Sequence, residues 1–263
     1  MPYPEPNPSI SLEIVREDEE ILIVAKPSGR VSLPGLGHAS DSVQNAAMAY
    51  AGESLGRLGE ERDFGLLHRL DRASSGLLLF AKSSQAYDRL REDFARRRIR
   101  KDYLAITGAT PVRGEGILRQ PLAEVRLQDR KVSRPDPQGS PAVTHYRVRA
   151  RGRAGAALVE CRIETGRLHQ IRAHLASAGA PLLGDLVYAR REPDGRASIG
   201  RKADRDILLH AWRLGFKHPA TEEDILVELR PPSRFLSACR QHEISFAGAG
   251  RKPSLQKPRK PRR

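Results

Sequence analysis

The chain is 263 residues long and carries 46 lysines and arginines against 32 aspartates and glutamates, a formal net charge of +14. At 39% hydrophobic residues the composition excludes a disordered or fibrous protein, and the length suits one large domain or two small ones. The longest aliphatic runs, such as Ile21 to Ala25 and Leu77 to Ala81, are far shorter than the ~20 residues a spanning helix needs, and a charge of this size favours nucleic acid as partner.

Residues 1–11 read as an irregular leader, and the acidic cluster Glu17 to Glu20 that follows is the opposite of a secretory signal, so an intracellular, cytoplasmic protein is expected. Ile21 to Val24 is a buried-strand candidate, stopped by Lys26-Pro27-Ser28-Gly29. Ser42 to Ala51 suits a helix, Gly52 to Arg62 a loop, and Gly76 to Ala81 a second buried strand. Ser83 or Ser84 caps a helix through about Arg97, with Ala86, Leu90 and Phe94 on its buried stripe. Lys101 to Thr107 alternates as a strand, placing Leu104 and Ile106 on one face and Tyr103 on the other.

Residues 111–140 suit irregular hairpins, and Thr144 to Arg149 and Leu158 to Glu164 an antiparallel pair. A helix is expected from about Arg167 to Ala178, then strands at Ile207 to Phe216 and Ile225 to Leu229. Strands without regular β-α-β alternation make the fold class α+β. The last stretch, 248–263, holds seven basic residues from Arg251 to Arg263 and no acidic one; it reads as a disordered basic tail, and without it the body keeps a charge of +7. The cysteines, Cys161 and Cys239, are far apart and suggest neither a disulfide framework nor a zinc site.

Three clusters can carry chemistry. In His68-Arg69-Leu70-Asp71-Arg72, a carboxylate between two arginines sits at the entrance of a buried strand; an Asp is ionised at neutral pH and needs no base to act as a nucleophile. Lys101-Asp102-Tyr103 offers a phenol for stacking or proton exchange. Thr165 to Leu175 places Arg167, His169, Gln170 and Arg172 at a helix start, where anions are favoured, with Arg172 at the edge of the buried stripe and able to reach a carboxylate. His169 and His174 are five apart, about 140° around a helix, so no shared metal is expected. Taken singly, each cluster is also compatible with an ordinary capped turn, a half-buried strand Tyr or a solvated basic helix.

The ordered set resembles the RluA-type pseudouridine synthases. His68-Arg69-Leu70-Asp71 with Ser75-Gly76-Leu77-Leu78 resembles their catalytic motif; Lys101-Asp102-Tyr103-Leu104-Ala105 and the run Thr165 to Leu175 resemble the second and third. Lys26-Pro27-Ser28-Gly29, Gly184-Asp185 and Leu209-His210-Ala211 also match, over roughly residues 12–237. Ser74, Leu168 and Arg30 depart from the family's usual Thr, Thr and Leu.

The resemblance implies a pseudouridine synthase fold, with a mixed, mostly antiparallel sheet crossed by the active-site cleft and a catalytic domain over residues 12–247. It implies isomerisation of uridines in rRNA or tRNA without cofactor or metal, by a monomer. Asp71 would be the catalytic carboxylate, Tyr103 would stack on the target base and act as a base at the sugar, and Arg172 would pair with Asp71. Arg69 would fill the gap left by the flipped uridine, with His68, Lys101, Arg167, His169 and Gln170 contacting RNA. The main alternative is a catalytically silent RNA-binding or ribosome-assembly protein of the same fold; a hydrolase using His68 and Asp71 lacks a metal cluster or activated nucleophile.

Overall fold

The apolar runs Ile21 to Val24 and Leu77 to Ala81 lie side by side at the centre of the molecule, each buried on both faces. A computed structural model describes residues 3–128, 130–191, 197–198 and 207–246. In chain order its elements are β1 (Glu13–Glu17), β2 (Ile21–Lys26), α1 (Val43–Leu58), β3 (Ser75–Ala81), α2 (Ser84–Ala95), β4 (Arg100–Thr107), β5 (Glu115–Leu118), β6 (Leu122–Leu127), β7 (Arg130–Pro135) and β8 (Thr144–Arg151). There follow β9 (Ala157–Ile163), α3 (Gln170–Ser177), the two-residue strands β10 (Arg190–Arg191) and β11 (Ala197–Ser198), β12 (Leu209–Lys217), β13 (Asp224–Glu228) and α4 (Ser233–Gln241).

Nine strands form one sheet in the order β1-β2-β3-β12-β4-β9-β8-β5, with β13 beside the second half of β12. Only the β3–β12 contact is parallel among these pairings, so the sheet is mixed and mostly antiparallel, and the architecture is α+β. The β6–β7 hairpin stands apart and packs on α3. At the β3–β12 contact Gly76 has φ +126°, and a Cβ there would lie 2.3 Å from the Ala211 carbonyl oxygen; no other residue type permits this approach.

Strand β4 alternates as its sequence requires, yet both faces are covered. Tyr103 and Ala105 join the main core, while Leu104 and Ile106 pack with Trp212 and with Phe235 and Cys239 of α4. Helix α4, unforeseen in the sequence, thus covers the second face through two residues one turn apart. The 52–62 region is a correction. Helix α1 continues to Leu58 across a kink at Ala51, because Leu55 and Leu58 extend its buried side, and a 3-10 turn over Glu60–Gly65 follows. Residues 3–12 contain no helix or strand but are tied to α1, where Asn45 Nδ2 donates to the Glu5 carbonyl at 2.7 Å. The 248–263 tail lies outside the described residues.

His210 joins β12 to its neighbours: Ser75 Oγ lies 2.9 Å from Nδ1, and Nε2 donates to the Leu229 carbonyl at 3.1 Å. Burial pulls its pKa from 6.5 to about 4, partly offset by the Leu229 bond. The unfolded chain therefore binds the extra proton first, so stability is lost as pH falls from 6.5 towards 4, by about 3 kcal/mol for this group. Urea unfolding at pH 7 and pH 4.5 is expected to show this loss in the wild type and a shallower one in His210→Asn; equal losses would contradict the assignment.

Candidate active site

Asp71 is held by a loop that the chain's own amino-terminal turn grips from below. Lys26, 1% exposed, donates from Nζ to the carbonyls of Ser74 (2.6 Å), Arg30 (2.6 Å), Pro27 (2.9 Å) and Arg72 (3.1 Å). Ser28 Oγ donates to the Ala73 carbonyl, Gly29 N to Arg72, and Ser32 Oγ both accepts from Leu70 N and donates to Leu70 O. Burial draws the Lys26 ammonium down to about 7, against the pull of the Asp71 charge. Such a lattice fixes the backbone on both sides of Asp71, which is how a loop can hold a reacting group as steadily as a strand.

The Asp71 side chain is 23% exposed, with Arg172 Nη1 3.6 Å and His169 Nε2 4.0 Å from Oδ2. The expected Arg172–Asp71 pairing is therefore present, but it is the looser of two. Arg172, 2% exposed, makes a bidentate pair with Asp185: Nε to Oδ2 at 2.8 Å and Nη2 to Oδ1 at 3.0 Å. Asp185 Oδ1 also accepts from Val187 N and Tyr188 N, and the guanidinium lies over the Tyr188 ring. Asp185 fixes the fork and leaves Nη1 turned towards Asp71, a geometry that Lys could not reproduce.

His169 begins α3 in a left-handed conformation (φ 50°). The Tyr188 hydroxyl donates to the Ser133 carbonyl and accepts from Ser133 N, so the 3.2 Å contact from His169 Nδ1 is a donation to that oxygen. Nε2 then faces Asp71 as a bare lone pair; burial keeps the ring neutral by lowering its pKa.

Tyr103 reaches the cleft from β4, and burial together with the Asp71 charge raises the phenol's pKa, so it is protonated at rest. Lys101 lies over the Phe94 ring, 5.5 Å from its centroid, and burial lowers its pKa to about 8. The cleft encloses about 470 Å³, with Asp71, Tyr103 and Arg172 together and Arg69, Arg91, Arg97, Lys101 and Arg167 among its walls. Arg69 is exposed, and α2 and its following loop supply Arg91 and Arg97.

Gln170 and His68, both expected at RNA, line the cleft and are also bonded within the protein. Gln170 is 3% exposed, and its amide is fully used: Oε1 accepts from Thr165 Oγ1 and Arg167 N, and Nε2 donates to Val143 O and Thr144 Oγ1. These bonds shape the turn before α3. His68 Nε2 accepts from Leu79 N, the ring packs on Phe94, and burial, then Lys101, drives its pKa to about 3. A neutral His68 holds its own loop and offers no charge to a phosphate.

A second carboxylate surrounded by arginines differs from Asp71 in its access to the cleft. Asp102 is 0% exposed and bound by Arg100 (2.7 Å), Arg162 (2.8 Å) and Arg213 (3.2 Å) on the far side of β4. Its oxygens are taken and sealed from any substrate.

The family model for RNA pseudouridylate synthase matches residues 20–177. Ribosomal large subunit pseudouridine synthase D of Zymomonas mobilis is 37% identical over 237 residues, covering 88% of this chain and 74% of that protein. The chain belongs to the RNA pseudouridylate synthase family. The protein named ribosomal large subunit pseudouridine synthase D in Pasteurella multocida is 38% identical over 229 residues, 85% of this chain and 68% of its own. Among solved structures, Human RNA Pseudouridylate Synthase Domain Containing 4 superposes with a TM-score of 0.67 at 23% identity, over 90% of this chain and 95% of that one, which shows the common fold. As an RNA pseudouridine synthase the protein isomerises uridine in RNA, and the catalytically silent alternative is not favoured.

Within this synthase the supporting residues were the least visible in sequence. Asp185 stands in sequence only as half of a Gly-Asp pair, and nothing local marks it as the main partner of an arginine 13 residues earlier. Lys26 stood in a turn signal, and its burial beneath Asp71 emerges only from the fold.

Proposed function

We propose that the protein isomerises uridines in large-subunit ribosomal RNA, acting as a cytoplasmic monomer with Asp71 as the catalytic carboxylate. The observation that carries this reading is the partly exposed Asp71 at 3.6 Å from an arginine that is itself anchored by Asp185, inside a basic cleft of nucleotide size. The rRNA substrate is supported by the names of the relatives, and the location by that substrate. Among the described residues no helix is long and apolar enough to cross a membrane. Residues 12–247 form the proposed catalytic unit.

In this reaction the N1–C1′ bond of uridine breaks and a C5–C1′ bond forms; C5 gives up its proton and N1 gains one, so the product is an isomer. Reaching C1′ requires the nucleotide to leave its stack, with a few kcal/mol of unstacking, and the exposed Arg69 at the mouth suits the vacated gap. Where Asp71 adds to the sugar or to the base, as opposed to assisting a glycal route, it would lose its negative charge. The smaller of the two causes that raise the Tyr103 pKa then disappears while burial, the larger, remains, so proton transfer to the phenolic oxygen becomes less unfavourable after Asp71 has reacted.

Tyr103→Phe is therefore expected to lower kcat by about 100-fold or more while KM changes only a few-fold, the pattern of a lost proton transfer. Full turnover by that variant would remove Tyr103 from proton chemistry and leave it a stacking platform. Pseudouridine mapping in a deletion strain against wild type tests the substrate: loss of sites in large-subunit rRNA supports the reading, and losses confined to tRNA overturn it.

A further inference from the structure

A short turn joined to Arg72, the residue after Asp71, carries a feature that the catalytic site does not use. Gly35 and His38 close it by two backbone hydrogen bonds, His38 N to Gly35 O at 2.9 Å and Gly35 N to His38 O at 3.1 Å. At its tip Leu36 is completely exposed, followed by Gly37 at φ +74°. A lone exposed leucine carries no message by itself. This one sits on a hydrogen-bonded turn joined through His38 to Arg72, the residue after Asp71.

His38 Nδ1 donates to Asp41, 2.9 Å from Oδ2, and its Nε2 accepts from Arg72 Nη1 at 3.2 Å. Arg30 Nη1 donates to the Asp41 carbonyl at 2.7 Å. Arg72 is the residue after Asp71, and its carbonyl accepts from Gly29 N at 2.8 Å. The His38–Arg72 hydrogen bond thus ties the turn to the residue that follows the reacting carboxylate. Beside the turn lie Arg30 and Arg72, which favour a phosphate backbone.

We propose that the Gly35–His38 turn is a second RNA contact, in which Leu36 packs against the sugar edge of a paired segment next to the target uridine. This rests on the rRNA reading of the cleft. The minor groove of paired RNA is wide and shallow, so a narrow four-residue turn can enter it, and apolar side chains are a recurrent means of packing against or between nucleotides. Glycine on both sides of Leu36 removes the side chains that would otherwise hold the groove wall away. The turn would favour target uridines flanked by a helix over those in extended single strands.

The test uses the full chain and an in vitro transcribed large-subunit rRNA, with binding read by filter retention and turnover read as pseudouridine formed. Leu36→Ala is expected to weaken binding about threefold and Leu36→Asp about tenfold. Both should keep the wild-type kcat and melting temperature. Leu36→Ala should also leave the slope of log Kd against log salt unchanged, because an apolar contact releases no counterions. Wild-type Kd in both variants would overturn the proposal, as would an equal loss of binding to poly(U), which has no paired segment. Binding is read without turnover, so a wild type that bound RNA but made no pseudouridine would overturn the isomerase reading and leave this result standing.

Discussion

Asp71→Asn is expected to lower pseudouridine formation by at least about a thousandfold while the protein folds and binds RNA as before. The substitution keeps the size of the side chain and removes the charge and the nucleophilic oxygen pair. Its partners tolerate the change: Arg172 retains its bidentate bonds to Asp185, and Lys26 retains its four carbonyls. Removing a negative charge from a basic cleft also tightens phosphate binding slightly, so Kd for RNA should fall or stay level. Turnover at the wild-type rate by this variant would contradict the assignment of Asp71.

The second large effect concerns the ion pair behind it. Asp185→Ala leaves the Arg172 guanidinium, 2% exposed, without its bidentate partner and two backbone N–H groups without their acceptor. Breaking a buried pair in this way costs about 3–5 kcal/mol. Replacing both members by apolar groups is frequently neutral, so Asp185→Leu combined with Arg172→Met should recover much of the lost stability. It should not recover turnover, because Nη1 of Arg172 no longer faces Asp71. Urea unfolding and turnover measured on the single and double variants separate the two roles. Recovery of both would make the pair structural only; recovery of neither would show that the loss lies in packing around Tyr188, whose ring meets the guanidinium.

The parts of the fold written in local periodicity were legible in the chain. The two apolar runs became β2 and β3, Ser83 caps α2, and the alternation of β4 places Tyr103 opposite Leu104. Helix α3 starts at Gln170, three residues later than Arg167, because the Thr165 to His169 turn is built by side-chain bonds to Gln170 and a left-handed His169, neither of which leaves a periodic trace. The continuation of α1 past Ala51 was hidden by Gly52 and Gly56, which read as loop, whereas tertiary burial of Leu55 and Leu58 decides the matter.

For the site, residue types and order were enough to select Asp71, Tyr103 and Arg172, which the fold gathers around one cleft from a loop, a strand and a helix. What holds them was not legible. Lys26 and Asp185 act through contacts 46 and 13 residues away in sequence, and only the packed sheet brings their partners together. The internal hydrogen bonds of Gln170 and His68 were hidden for the same reason: a polar side chain in such a motif looks alike in sequence whether or not it bonds its own backbone.

The central claim is that this chain moves the uracil glycosidic bond from N1 to C5. The most direct measurement is release of tritium from large-subunit rRNA transcribed with [5-³H]uridine, with nucleoside analysis of the same RNA. Tritium appearing in solvent in equal amount to pseudouridine, without free uracil or cut strands, is the expected result. Retention of all tritium at C5, or release of free uracil in place of pseudouridine, would contradict it.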